Sequence, residues 1–158
     1  MFTKIIISLL IALLFSINPL PDSIESFRPL FALLVCLYWT IYHNRYFGLL
    51  HVFIVGILLD VLYGNVLGQN AFCLVIAIAL SLFYQRAFRL APIFQQILFI
   101  ALFAATYQFL HIWIDSILDL PVEISKKIIV IIISALLWPA IVILIDKFLV
   151  GKIKTQNN

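Results

Sequence analysis

The sequence has few charged residues. Of its 158 residues, 11% are Asp, Glu, Lys or Arg, 65% are hydrophobic, and the mean hydropathy is +1.19. A soluble domain typically carries about 25% charged residues, which cover its surface with hydrated groups. The composition therefore excludes a soluble globular protein and indicates an integral membrane protein.

The sequence also lacks the marks of an enzyme, a metal protein or a nucleic-acid-binding protein. Its two cysteines, Cys36 and Cys73, lie in apolar runs without metal-ligand spacing. No HExxH, GxSxG or phosphate-loop motif occurs. The net charge is +3, but no basic cluster alternates with aromatic residues. We therefore expect no catalysis, no cofactor and no nucleic-acid partner.

Glycine and proline are scarce as well, with five and six residues, so long apolar runs continue uninterrupted. The runs predict an all-α bundle of six membrane spans, in a single transmembrane domain over residues 1–158. The expected spans are about 3–18, 29–43, 47–64, 70–85, 92–114 and 127–149. The first run also resembles a signal-peptide core, but no small-x-small cleavage pattern follows it, which favours an uncleaved span.

The positive charges predict the orientation of this bundle. With both termini in the cytoplasm, seven basic residues lie inside and three lie outside, as the positive-inside rule requires. The inner set is Lys4, Arg45, Arg86, Arg89, Lys147, Lys152 and Lys154, and the outer set is Arg28, Lys126 and Lys127.

Asp60 is an ionisable residue near the end of an apolar run. A charge within the bilayer is costly, so such residues usually face protein or a water-filled cavity. Gly56, Asp60 and Gly64 recur at every fourth position and so share one helix face, and the small glycines permit close packing. Two alternatives stay open: Asp60 caps or pairs locally, or it takes part in binding a partner or ligand.

Other polar residues are expected near Asp60. The predicted orientation puts Asp60 about one turn below the outer surface, with Arg28 at a similar level. Gln108, His111 and Asp115 share one face of the fifth span at that depth. Arg28 is a candidate ion-pair partner of Asp60, or an interfacial side chain that reaches the headgroups. His111 either lines a pocket or hydrogen-bonds a neighbour.

Several short motifs, in this order and spacing, resemble the MreD family of bacterial rod shape-determining membrane proteins. They are Pro19-Leu20-Pro21-Asp22, Phe27-Arg28-Pro29, Tyr38-Trp39, Gly48, Gly56-Ile57-Leu58-Leu59-Asp60 with Gly64, Leu67-Gly68, Gln95-Gln96 and Leu137-Trp138-Pro139. The candidate residues for partner binding or for a pocket are Arg28, Pro29, Trp39, Gly56, Asp60, Gly64, Gly68, Gln108 and His111. For Trp39, interface anchoring or packing is the alternative.

The resemblance implies a non-enzymatic scaffold of the cell-wall elongation machinery in the bacterial inner membrane. It implies that the protein binds the bitopic periplasmic protein MreC directly. It also implies that the protein works beside MreB, RodZ, the glycosyltransferase RodA and its partner transpeptidase. The fold implied is similar to the substrate-binding S components of energy-coupling-factor transporters. A small-ligand-binding transport subunit with this fold is the alternative function.

Overall fold

A computed structural model describes residues 2–17, 30–121 and 123–147. Seven α-helices lie in these residues. They are α1 (Phe2–Ile17), α2 (Phe31–His43), α3 (Leu49–Tyr63), α4 (Gln69–Phe83), α5 (Gln85–Leu90), α6 (Ile93–Ile117) and α7 (Ile124–Ile145). All of them are rich in apolar residues except the short α5, which forms where the sequence predicts only a connector.

The turns between helices begin or end at residues that break helix. Gly48 precedes α3 in an extended conformation and Pro92 precedes α6. Gly64 ends α3 in the left-handed region at φ +66°, which a residue without a Cβ atom adopts at little cost. Helix α6 continues to Ile117 and α7 begins at Ile124, so both extend about three residues past the predicted spans.

The helices pack side by side as a bundle. The most extensive helix contacts join α3 with α4, α6 with α7, and α4 with α6, while α1 packs mainly on α2. Gly56 of α3 faces Ala71 of α4 so closely that an added Cβ atom would lie 2.7 Å from the Ala71 backbone nitrogen. Gly56 is therefore a packing notch that brings the two helices together.

The core is apolar and rich in aromatic residues. Its largest fully buried side chains include Trp39, Trp138, Phe88 and Phe103. The Phe88 ring meets Trp138 edge to face, with centroids 5.6 Å apart, which fixes the short helix α5 against α7. Many large apolar side chains remain exposed on the outside of the bundle, as expected for a surface that faces lipid.

The helices differ in how far they can cross a bilayer. Helices α6 and α7, with 25 and 22 residues, are long and apolar enough to span it. Four shorter apolar stretches have 10–17 residues: Thr3–Leu14, Phe31–His43, Leu49–Tyr63 and Gln69–Phe83. At 1.5 Å per residue, a helix of that length reaches about 15 to 25 Å, less than the hydrocarbon core of about 30 Å.

The bundle has two chemically different ends. The Gly64 end holds the turn at residues 64–68, residues 118–121 and the start of α7. The Arg89 end holds the turn at residues 44–48 and α5. At the Arg89 end, the Arg89 guanidinium and the Gln85 amide both donate hydrogen bonds to the Ile41 carbonyl, and the Tyr38 hydroxyl donates to the Asp146 carboxylate. The bonds to Ile41 satisfy one carbonyl in the last turn of α2, and the Tyr38 bond connects α2 to the residue that follows α7.

Candidate functional site

Asp60 lies at the Gly64 end and is fully buried. Its Oδ2 atom accepts a hydrogen bond from the Gly68 backbone N–H at 2.8 Å, and its Oδ1 atom accepts one from the Asn70 backbone N–H at 2.8 Å. Because α4 begins at Gln69, a carboxylate from α3 caps the amino-terminal end of α4. The first N–H groups of a helix lack partners within it, and the helix dipole favours negative charge there.

Two glycines shape the turn that makes this cap possible. Gly64, at φ +66°, donates its N–H to the Asp60 carbonyl, and Asn65 donates to the same carbonyl at 3.1 Å. Gly68 has φ +97°, again in the region that favours glycine. The chain thus reverses direction within five residues and brings the start of α4 back to the Asp60 side chain.

A second carboxylate, Asp115, joins three helices at the same end. Gln69 of α4 donates to Asp115 Oδ1 at 2.6 Å, and Lys127 of α7 donates to Asp115 Oδ2 at 2.7 Å. The Nδ1 atom of His111 lies 3.0 Å from Asp115 Oδ2 and 3.2 Å from the Gln69 amide nitrogen. We call Gln69, His111, Asp115 and Lys127 the Asp115 cluster. It neutralises one buried negative charge with one lysine and further hydrogen bonds.

Asn70 connects the Asp60 cap to helix α6. Its Oδ1 atom accepts a hydrogen bond from the Tyr107 hydroxyl, while its backbone N–H is held by Asp60. Only 1% of Asn70 is exposed, and its Nδ2 atom finds no hydrogen-bond partner among the described residues. A buried amide without a partner is unfavourable, by about 1 to 3 kcal/mol.

A cavity of about 430 Å³ opens at this end of the bundle. Its polar lining includes Asn70, Gln108, His111, Glu123, Lys126 and Lys127, and its apolar lining includes Leu30, Pro121 and Val130. Ligand pockets in proteins commonly range from about 300 to 1,000 Å³ and combine apolar walls with a few polar groups. The cavity can therefore receive the polar part of a ligand or a segment of a partner protein.

A family model described as rod shape-determining protein MreD matches residues 1–148. The chain belongs to the MreD family. It is therefore a rod shape-determining membrane protein, and the match covers all seven helices and the cavity. No solved structure matches the chain.

Five candidate residues predicted for this MreD family member meet at the Gly64 end. Gln108 and His111 line the cavity. Asp60 does not line it, but its carboxylate accepts a hydrogen bond from the backbone N–H of Asn70, which does. Gly64 and Gly68 form the turn beside Asp60. The Asp60 contacts among the described residues are local capping contacts, and its role in binding a partner or ligand stays a prediction.

Other candidates lie elsewhere in the MreD chain. Gly56 packs against Ala71 and so faces α4. Trp39 is fully buried and donates from its indole N–H to Ser8 Oγ at 2.7 Å, which joins α2 to α1. Arg28 and Pro29 lie outside the described residues, and so does the expected pairing of Arg28 with Asp60.

Sequence reasoning missed four residues that build this site. Tyr107 precedes His111 by four positions, so the helical spacing that grouped Gln108, His111 and Asp115 could have included it. Gln69 and Asn70 directly follow Gly68, where the residues of a helix start are expected. Lys127 gives no such signal, because its partner Asp115 lies across a loop whose path the sequence does not specify.

Proposed function

We propose that this member of the MreD family is a non-enzymatic scaffold of the lateral-wall elongation machinery, with six spans in the bacterial inner membrane. In this proposal it binds MreC directly and works beside MreB, RodZ, RodA and the partner transpeptidase. The observation that carries the proposal is the match of the MreD family model to residues 1–148.

The charge distribution supports an orientation with both termini in the cytoplasm. Arg45, Arg86 and Arg89 lie at the Arg89 end of the bundle, whereas Lys126 and Lys127 lie at the Gly64 end. The positive-inside rule then makes the Arg89 end cytoplasmic. The Asp60 cap, the Asp115 cluster and the cavity would face the periplasm, the compartment of the MreC ectodomain.

The short helices are compatible with six spans. Helices of 13 to 16 residues can cross a bilayer that is locally thinned, at a modest cost per ångström of mismatch. Their exposed apolar side chains, such as Leu50, Phe53 and Phe72, support contact with lipid or with a partner helix rather than with water.

We infer two roles for the candidate residues. Gly56, Asp60, Gly64 and Gly68 fix the α3–α4 hairpin, so they shape the periplasmic end without having to touch a partner. Gln108 and His111 line the cavity, and the transmembrane helix and membrane-proximal segment of MreC pack against the spans beside it. Arg28 and Pro29 stay candidate residues for partner binding.

Co-purification of MreC from membranes tests the proposal. Wild-type chain and Asp119→Asn, a change at an exposed acid of the same end, should retain MreC equally. Asp60→Ala removes the cap of α4 and should reduce MreC recovery per molecule of chain several-fold. Undiminished MreC recovery with Asp60→Ala would show that the end of the bundle around Asp60 is not part of the interface. No MreC recovery with wild type would refute direct binding.

The cavity itself favours a second candidate function, a transport subunit with an S-component-like fold that captures a small ligand. The fold cannot separate the two functions, because one fold can host unrelated sites. Mass spectrometry of the purified chain separates them. A water-soluble organic ligand at one molecule per chain favours the transport subunit, whereas MreC without such a ligand favours the scaffold.

A further inference from the structure

The cavity at the Gly64 end is lined by hydrogen-bond donors that can still bind an acceptor. Its charged lining consists of Lys126, Lys127 and Glu123, and Asp115 lies beside Lys127, so two positive and two negative charges balance. Lys126 pairs with Glu123, and Lys127 donates to Asp115. Each ammonium carries three N–H donors, so both lysines keep donors for a further acceptor.

Two further groups add hydrogen-bond donors. Glu123 precedes α7, and its side chain makes no capping hydrogen bond to the first turn. The amino-terminal end of a helix carries a partial positive charge that favours anions. Independently, the Nδ2 donor of Asn70, a buried residue that lines the cavity, has no hydrogen-bond partner among the described residues. An oxyanion with several oxygens would satisfy donors of the lysines, of the start of α7 and of Asn70.

The surroundings of the cavity indicate which oxyanion it would bind. Beyond Lys127, α7 exposes Ile128, Ile129 and Ile132, which form an apolar surface within two turns of the lysines. Lysines beside such a surface are the arrangement that holds a lipid phosphate above its acyl chains. An acidic side chain of a partner protein would use the same donors but would not need the exposed isoleucines.

We propose that the cavity binds the phosphate group of an anionic phospholipid, between Lys126, Lys127 and Asn70, with the acyl chains along the exposed isoleucines of α7. The proposal needs a membrane but no partner protein. It can therefore fail while the scaffold function holds, and the reverse is also possible.

Lipid titration of the purified chain tests this proposal. Detergent-solubilised chain is titrated with phosphatidylglycerol or with phosphatidylcholine of the same acyl chains, and bound lipid is counted by native mass spectrometry. Wild type should prefer phosphatidylglycerol, and Lys126→Gln should reduce that affinity about fivefold, the share expected for one lysine near a membrane surface. Lys4→Gln removes an exposed lysine of α1 and should leave the affinity unchanged.

The Asn70→Asp variant distinguishes lipid binding in the cavity from a general attraction of lipid by surface charge. The aspartate keeps an oxygen for Tyr107 and suits a helix start, but it replaces the Nδ2 donor with a second oxygen. Phosphatidylglycerol affinity should fall at least as far as in Lys126→Gln. Equal affinity for the two lipids in wild type, unchanged binding in both cavity variants, or equal binding of inorganic phosphate alone would each overturn the proposal.

Discussion

At the scale of single residues, Asp60 shows how an apolar bundle tolerates a buried carboxylate. Two backbone N–H groups at the start of α4 donate to it, and both belong to positions that would otherwise lack partners. The carboxylate and the helix start therefore satisfy each other. The turn that returns α4 to Asp60 contains Gly64 and Gly68, which both lie in the left-handed region that favours glycine.

Replacing Asp60 with asparagine should destabilise the bundle. The amide keeps one oxygen for one N–H group, but its NH₂ group faces the second donor. We expect a loss of about 2 kcal/mol in the free energy of unfolding, the value for a lost charge-assisted hydrogen bond. Equilibrium unfolding in mixed micelles measures it. Asp119→Asn should change the free energy by less than about 0.5 kcal/mol, and equal stability of the two variants would contradict the cap.

Gly56→Ala should also destabilise the fold, because the new methyl group would overlap the backbone of Ala71. Overpacking of this kind costs about 1 to 3 kcal/mol. Gly48→Ala is the matched control, since nothing lies within 4 Å of an added Cβ atom and its φ of −108° suits alanine. The same unfolding measurement applies. A Gly56→Ala variant as stable as Gly48→Ala would show that α3 and α4 are not in close contact.

At the scale of elements, polar contacts hold the helices in register at the Gly64 end. The Asp115 cluster joins α4, α6 and α7, and the Tyr107–Asn70 bond adds a second link between α4 and α6. Apolar packing is weakly directional in a lipid environment, so such bonds specify which faces of the helices meet. The Trp39–Ser8 bond does the same for α1 and α2.

Asp115→Ala should cost about 3 to 5 kcal/mol, the range for removing one partner of a buried ion pair, because Lys127 and Gln69 lose their shared acceptor. Glu123→Ala breaks the more exposed pair with Lys126 and should cost no more than about 1 kcal/mol. Chemical unfolding of both variants compares them. Similar costs for the two pairs would mean that the Asp115 cluster is as hydrated as the surface.

Ser8→Ala should loosen α1 by leaving the Trp39 indole N–H without its acceptor, at a cost of about 1 to 3 kcal/mol. Protease susceptibility within α1, together with the unfolding free energy, reports the effect. Ser116→Ala removes an exposed hydroxyl that bonds only its own helix and should be nearly neutral. Unchanged stability of Ser8→Ala would indicate that α1 is not fixed through Trp39.

At the scale of the whole molecule, the sequence predicts where the helices lie better than it predicts which groups on different helices contact one another. Long apolar runs bounded by Gly48, Pro92 and Gly68 indicate where helices begin. The partners of Asp60, however, are backbone N–H groups, which no residue type marks. The neighbour of Gly56 and the pairing of Lys127 with Asp115 depend on how helices meet across loops. Short α5 was missed because it carries two arginines between two apolar helices.

The proposed topology predicts the outcome of reporter fusions. A fusion after Asn158 should be active only as a cytoplasmic reporter, whereas an insertion at Asp119 should be active only as a periplasmic reporter. We expect this result because lysine and arginine are more numerous at the Arg89 end. A periplasmic signal at the carboxyl terminus would refute the orientation, and the cavity would then face the cytoplasm.

Cell shape after depletion tests the central claim most directly, namely that rod-shape determination depends on the end of the bundle organised by Asp60. Cells depleted of the chain should lose their rod shape, and the length-to-width ratio should recover with wild type and with Asp119→Asn. Asp60→Ala, compared at matched membrane levels, should leave the cells rounded. Full recovery of rods with Asp60→Ala at wild-type levels would contradict the account.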